Sequence, residues 1–171
     1  DFQQFTNILK SCVDSDHAGC LKTRKSTNGG ALMLGEHCLK SWSTTQSVTA
    51  LSSGEAEFYG IVKGSAVLLG MISIAQDLGI ELKGEVWSDS SAAVGIASRR
   101  GLGKVRHLHT QYLWVQERLH SKDFSLHKVR TDKNVADLMT KHLDATKLTK
   151  FLNDLGYEVR LGSHLQSLKM S

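Results

Sequence analysis

The sequence lacks the cysteine patterns and the catalytic motifs that would identify several common protein classes. Cys12, Cys20 and Cys38 are odd in number and have no Cys-x-x-Cys spacing, so they support neither a disulfide framework nor a zinc site. This cysteine usage fits a reducing compartment. The chain also has no G-x-S-x-G elbow and no G-x-x-x-x-G-K-[ST] loop. We therefore do not expect a serine hydrolase or a P-loop nucleotide hydrolase.

Long apolar runs and a secretion signal are lacking too. Lys63 and Asp77 bound the most apolar run, which falls short of the roughly 20 uncharged residues of a membrane-spanning helix, so no membrane partner is expected. Nothing near Asp1 resembles a signal peptide, which favours an intracellular chain that is an internal piece of something longer. The 171 residues, 40% of them hydrophobic, predict one domain with a substantial core.

The net charge of +4 conceals an asymmetry along the chain. Residues 1–98 hold 7 Lys and Arg against 10 Asp and Glu, whereas residues 99–171 hold 14 against 7. An acidic focus beside a basic surface suits metal ions and phosphates together, although solvated charge alone also explains such a balance.

Periodicity predicts an α/β fold with a mixed five-stranded sheet. Three strands in hairpin connection precede a long helix, and right-handed crossovers would lay the last two strands parallel to the first, with helices on both faces. We expect strands at residues 8–14, 31–34, 38–42, 85–89 and 124–129, a turn at 27–30, and helices at 52–78, 90–98, 108–120, 135–141 and 147–155.

Four acids lie where such a sheet would bring them together. Asp14 ends the first strand, Glu57 lies in the first turn of the long helix, Asp89 ends the fourth strand, and Asp137 lies in a late helical segment. Ligands of open sheets collect at the carboxyl ends of parallel strands. Because crowded carboxylates cannot all stay ionised without a counter-charge, this arrangement predicts a site for hard divalent cations, foremost Mg²⁺.

The choice between Glu55 and Glu57 follows from helix geometry. Residues two apart on a helix point about 200° away from each other, so only one of the two can face the site. Ser52 and Glu55 fit a capping box, which engages Glu55 and leaves Glu57 for the metal. Gly60 and Gly64 lie on the same side and would let the helix backbone approach the sheet.

Asp16 and the histidines are weaker candidates. Asp16 lies beyond the predicted strand and is interpreted as solvent-facing. His107 and His109 precede a helix and His127 lies on a predicted strand, but none has metal-ligand spacing with another residue. Surface placement or contact with nucleic acid is expected for these histidines.

Several short blocks resemble, in order, those of a known family: the ribonuclease H domain that ends the polyprotein of copia-type LTR retrotransposons. The resemblance covers roughly residues 8–155, so we expect a ribonuclease H-like domain over residues 1–155 and a poorly ordered tail over residues 156–171. The blocks are VDSDHAG (13–19), RKSTNG (24–29), SWS (41–43), ALSSGEAEFY (50–59), WSDSSAAV (87–94) and VADLMTK (135–141).

This resemblance implies the ribonuclease H-like fold and hydrolysis of the RNA strand of RNA/DNA hybrids with two Mg²⁺ ions, for which Mn²⁺ can substitute. The products implied carry 5′-phosphate and 3′-hydroxyl ends. The family's four acids fall on Asp14, Glu57, Asp89 and Asp137. The counterpart of Asp14 bridges both ions, those of Glu57 and Asp89 help to hold the leaving-group ion, and that of Asp137 helps to hold the ion that activates water.

Two groups of polar residues are candidates for binding the hybrid. Contacts to RNA 2′-hydroxyls are expected from Gln46, Ser52 and Ser53. Contacts to backbone phosphates are expected from Arg99, Arg100, Lys104 and Arg106. Such contacts position the hybrid on the protein without reading its base sequence.

The chain departs from cellular ribonucleases H in two respects. Residues 130–134 lack the histidine that precedes their last aspartate, for which His127 is a candidate substitute. Serines replace the polar pair with which the cellular enzymes read the hybrid. The expected partner is a reverse transcriptase domain in the parent polyprotein, and the expected location is the cytoplasm, within retrotransposon particles. A non-catalytic ribonuclease H-like binding or tethering module is the alternative. An integrase or transposase nuclease fits less well, because the helix glutamate follows the third strand here rather than being the last of the site acids along the chain.

Overall fold

A computed structural model describes residues 6–20, 22–101, 103 and 112–157. The predicted boundary at residue 155 and the predicted tail at 156–171 stay predictions, and residues 158–171 lie outside the described residues.

The five predicted strands form one mixed sheet, as expected. The strands are β1 (Ile8–Asp16), β2 (Thr27–Leu34), β3 (His37–Thr45), β4 (Lys83–Ser88) and β5 (Ser125–Lys128). Their order across the sheet is β3-β2-β1-β4-β5. The β1–β2 and β2–β3 pairs are antiparallel, whereas β4 pairs in parallel with both β1 and β5. The central parallel pair therefore brings the carboxyl ends of β1 and β4 to one edge of the sheet.

Helices cover both faces of the sheet. They are α1 (Ser53–Asp77), α2 (Ser91–Ser98), α3 (Trp114–His120) and α4 (Ala145–Asp154). The predicted start of α3 at residue 108 lies outside the described residues. The segment expected as a helix at 135–141 is instead a short 3-10 helix, Val135–Met139, which Thr140 ends.

Residues 27–30, predicted to form a turn, are the first half of β2. The glycines there serve close packing. A Cβ on Gly30 would lie 2.1 Å from Cζ2 of Trp42, and one on Gly29 would lie 2.8 Å from Cβ of Met139. Two adjacent glycines usually indicate a turn, but in this strand they make room for an indole ring on one face and the 3-10 helix on the other.

The sheet separates two hydrophobic clusters. The larger lies between the sheet and helices α1 to α3, and includes Val13, Phe58, Ile61 and Val86. The smaller lies on the other face, where Phe151 of α4 packs with the 3-10 helix. Two packed layers around one sheet fix the edge where β1 and β4 end.

Helix α1 is long and apolar enough to span a membrane by length and composition alone. Its most apolar stretch is 56% buried within the protein, and Phe58, Ile61 and Leu68 have no exposed surface. This burial is the pattern of the core helix of a globular domain.

Helix α1 lies close to β1 at Gly64. A Cβ there would lie 2.2 Å from Cγ1 of Val13 and 3.0 Å from Oγ of Ser11, whereas one on Gly60 would make only ordinary contact, 3.5 Å from the Asp14 carbonyl oxygen. Gly64 is thus the residue that permits the close approach expected from the sequence.

The Gly64→Ala variant should lose about 1–3 kcal/mol of unfolding free energy, because the new methyl group overpacks the interface with β1. This loss outweighs the gain of about 1 kcal/mol in helix propensity. Urea unfolding measures it. The matched control is Gly70→Ala in the same helix, where no described atom lies within 4 Å of the added Cβ and stability should rise. Equal gains in both variants would contradict the packing described here.

Candidate active site

Three aspartates converge at the carboxyl edge of the sheet. One carboxylate oxygen each from Asp14, Asp89 and Asp137 lie within 4.8 Å of one another. Val13 pairs with Ser88 in the parallel β1–β4 ladder, so the residues that follow them, Asp14 and Asp89, are neighbours. The convergence expected from the sequence is present for these three acids.

Asp137 reaches the site because the 3-10 helix is anchored to the sheet. Asn134 is fully buried and its Nδ2 donates to the carbonyl oxygen of Val13 at 2.9 Å, while its Oδ1 accepts from the Ala136 amide at 3.3 Å. At the other end, Oγ of Ser43 donates to the Met139 carbonyl oxygen at 2.8 Å. These bonds join the short helix to β1 and β3 and hold Asp137 beside Asp14.

Glu57 approaches the cluster from the first turns of α1. Burial, followed by the charges of Asp14 and Asp89, raises the pKa of Glu57 from its ordinary value of 4.5 to about 8. Its Oε2 is buried and has no hydrogen-bond partner among the described residues. An orphaned carboxylate oxygen within reach of the charges of other carboxylates is an arrangement that a cation would satisfy.

Glu55 is engaged away from the site, as the sequence predicts. Oγ of Ser52 accepts from the Glu55 amide at 3.2 Å, and the Glu55 carboxylate accepts from the Leu51 amide at 2.9 Å and from the Tyr59 hydroxyl at 2.7 Å. The glutamate therefore reaches back to the residue before the cap rather than to Ser52 itself.

Two residues that the sequence analysis did not single out complete the site. Nζ of Lys141 lies 2.7 Å from Oδ1 of Asp137 and 3.2 Å from Oδ1 of Asp14, and the hydroxyl of Thr140 donates to Oδ2 of Asp14. The only sign of the Lys141–Asp137 contact in the sequence is the spacing of four residues, at which oppositely charged side chains on a helix can pair.

The charges in the site shift one another's titration. Burial, with the charge of Asp14, raises the pKa of Asp137 despite its hydrogen bond to Lys141. Burial alone would lower the pKa of Lys141, but the hydrogen bond to Asp137 and the charges of Asp14 and Asp137 raise it overall. Lys141 therefore stays an ammonium ion at neutral pH.

The residues present fit a hard divalent cation. Carboxylate oxygens from Asp14, Asp89 and Asp137 form the cluster, and the unpartnered Oε2 of Glu57 is buried where their charges reach it. Oxygen-only donors of this kind suit Mg²⁺ or Mn²⁺ rather than zinc.

The structure places the expected nucleic-acid contacts in different settings. Gln46 is 3% exposed, and its Nε2 lies within 3.0 Å of acceptors on Ser15, Asn28 and Ala56, so its amide nitrogen is engaged inside the protein. Ser52 and Ser53 are exposed at the start of α1, Arg99 is half-buried and Arg100 is exposed, while Lys104 and Arg106 lie outside the described residues.

Asp16 is not simply solvent-facing, which corrects the sequence interpretation. It is half-buried and accepts a hydrogen bond from the Thr27 amide, thereby joining the end of β1 to the start of β2. His127 is also partnered: its ring stacks on that of Trp87 with centroids 4.7 Å apart, and its Nε2 lies 2.7 Å from Oγ of Ser125.

Comparison with known proteins shows similarity to retrotransposon polyproteins. The chain is 28% identical over 142 residues to the retrovirus-related Pol polyprotein from transposon TNT 1-94 of Nicotiana tabacum. The matched segment covers 82% of this chain and 11% of that protein. It is 27% identical over 154 residues to the Pol polyprotein from transposon RE1 of Arabidopsis thaliana, covering 88% of this chain and 10% of that one. The chain thus spans about a tenth of these relatives. No family model matches it.

Solved structures give the fold. The RNase H1 named LC11, isolated from compost by a metagenomic approach, superposes with a TM-score of 0.55 at 16% identity, covering 78% of this chain and 93% of that one. The N-terminal RNase H domain of a Mycobacterium tuberculosis protein superposes with a TM-score of 0.50 at 16% identity, and the match covers 86% of this chain and 98% of that domain. The sheet order and these neighbours establish a ribonuclease H-like fold.

The Glu57→Gln variant should change how the stability of the metal-free protein depends on pH. Because folding raises the pKa of Glu57, the folded state binds the proton more tightly, and stability falls as pH rises from about 4.5 to about 8. Glutamine removes this loss. Between pH 5 and pH 8 the variant should gain about 2–4 kcal/mol relative to the parent, as measured by urea unfolding in EDTA.

The control for this experiment is Glu81→Gln, which changes an exposed carboxyl outside the site. It should follow the parent at every pH. A Glu57→Gln variant that also follows the parent would show that Glu57 titrates as an ordinary surface carboxyl.

Proposed function

We propose that this chain is a Mg²⁺-dependent endonuclease that hydrolyses the RNA strand of RNA/DNA hybrids. The chain is homologous over most of its length to the Pol polyproteins of copia-type retrotransposons, and it has a ribonuclease H-like fold. The observation that carries the proposal is the convergence of Asp14, Asp89 and Asp137 within 4.8 Å, with Glu57 beside them. The four acids come from four separate elements, and their convergence is not explained by any local structural need.

Each acid has a role that its position supports. Asp14 is fully buried in contact with the 3-10 helix, so it can hold ions together with Asp137, while Asp89 is half-buried at the end of β4. Glu57 and Asp137 approach from opposite faces of the sheet. When bound, paired Mg²⁺ ions would lower the pKa of an attacking water and stabilise the departing 3′ oxygen.

The surroundings of the acids suit a nucleic-acid duplex. Gly54 of α1 lies against Ala92 of α2, so the exposed Ser52 and Ser53 lie beside the helix that follows Asp89. Short hydroxyl side chains there can contact 2′-hydroxyls in the shallow minor groove of a hybrid. Arg100 follows the same helix and can contact phosphates, in a chain whose second half is basic.

The parent polyprotein would supply further binding to the same substrate. The relatives are about ten times longer than the matched segment. A reverse transcriptase domain in the same polyprotein would hold the hybrid close to this domain and raise its effective concentration.

The Asp89→Asn variant tests the proposed function. The parent should cleave the RNA strand of a labelled hybrid in Mg²⁺ and leave 5′-phosphate and 3′-hydroxyl ends. The variant should lose a factor of about 10³ or more in rate, since several kcal/mol of transition-state stabilisation depend on each acid that holds metal.

The matched control is Asp77→Asn at the opposite, exposed end of α1, which should cleave like the parent. Equal cleavage by parent and Asp89→Asn would refute the role of Asp89. A parent that binds the hybrid in Mg²⁺ without cutting it would instead support the non-catalytic binding module.

A further inference from the structure

A positively charged side chain already occupies the position between two of the acids. Nζ of Lys141 lies 3.2 Å from Oδ1 of Asp14 and 2.7 Å from Oδ1 of Asp137. The two carboxylates are almost completely buried, with side-chain exposures of 1% and 8%, whereas the lysine side chain is 40% exposed. The ammonium group therefore reaches into the site from the solvent side.

Lys141 and Thr140 together occupy both oxygens of Asp14. Lys141 bonds Oδ1, and the Thr140 hydroxyl bonds Oδ2. A divalent ion that binds between Asp14 and Asp137 would compete with these donors for the same oxygens. Thr140 is short and packed, since its Cγ2 would lie 2.5 Å from a Cβ on Gly29. Lys141 has a flexible four-carbon stem that leads to solvent, so it is the donor that can leave.

Electrostatics favours the same exchange. Without a cation, Asp14 and Asp137 would be like charges in contact within a mostly buried site, which is costly. With a divalent ion in place, the ammonium group would instead be repelled at close range. The two cations therefore compete for the same carboxylate oxygens.

We propose that Lys141 is the internal counter-cation of the metal-free site: it holds Asp14 and Asp137 together, withdraws when a divalent ion binds, and so sets the Mg²⁺ concentration at which the site fills. This inference rests on the metal dependence of the proposed function. Besides the four acids proposed to hold the metal, the site then includes a fifth residue, Lys141, which controls how readily the metal binds.

Calorimetric titration with Mg²⁺ alone tests the competition without any measurement of activity. The Lys141→Met variant should bind Mg²⁺ about tenfold more tightly than the parent, because no ammonium group has to be displaced. Lys141→Arg retains the charge and should stay near the parent. Lys83→Met is the matched control at the opposite end of β4 and should leave the Kd unchanged.

Thermal unfolding gives a second readout on the same variants. In EDTA, Lys141→Met should melt below the parent, and saturating Mg²⁺ should raise its Tm by more than it raises that of the parent. The wild-type chain offers a third readout that needs no variant. Labelling by an amine-reactive reagent, read by mass spectrometry, should increase at Lys141 when Mg²⁺ is added and stay constant at Lys83.

The outcomes separate this inference from the proposed function. If parent and Lys141→Met bind Mg²⁺ with the same Kd, or if Mg²⁺ leaves the labelling of Lys141 unchanged, the counter-cation role is wrong and the metal site stands. If neither the parent nor any Lys141 variant binds Mg²⁺, the metal-dependent function and this inference both fail. Tighter binding in Lys141→Met with unchanged binding in Lys141→Arg supports the counter-cation role.

Discussion

Repulsion between carboxylates is the constraint on which the rest of this structure depends. Four acids brought to one edge of a sheet destabilise the fold unless packing elsewhere holds them there. Gly64 lets α1 approach β1, Gly29 lets the 3-10 helix lie on β2, and Asn134 joins that helix to β1. None of these residues supplies an oxygen to the cluster. They form the rigid frame against which the acids are held in spite of their charges.

The metal-free state lowers this repulsion by two different means. On the side of α1, Glu57 has its pKa raised to about 8 and so holds a proton at neutral pH. On the side of the 3-10 helix, Lys141 pairs with Asp14 and Asp137. One device neutralises a carboxylate by protonation and the other by an ion pair, and both would be reversed if a divalent cation supplied the charge instead.

The sheet and the convergence of Asp14, Asp89 and Asp137 could be predicted because they depend on signals that the sequence carries locally. Alternating apolar residues define the strands, the connections set their order, and the capping role of Glu55 selects Glu57 for the site. The turn predicted at the glycines of positions 29 and 30 is wrong because the role of these glycines, which is to make room for Trp42 and for the 3-10 helix, exists only in the folded chain. The hydrogen bonds of Asp16 and Gln46 depend on the same kind of distant contact.

Lys141 shows where such prediction ends. A lysine four residues after an aspartate is usually a solvated helix pair, and its second contact, to Asp14, spans 127 positions of the chain. Its importance follows from a count of charges. Two divalent ions would balance the four carboxylates of the proposed site, which leaves the ammonium group as surplus positive charge at close range. The side chain that stabilises the empty cluster therefore opposes its filling, and its exposed stem gives it a path by which to leave.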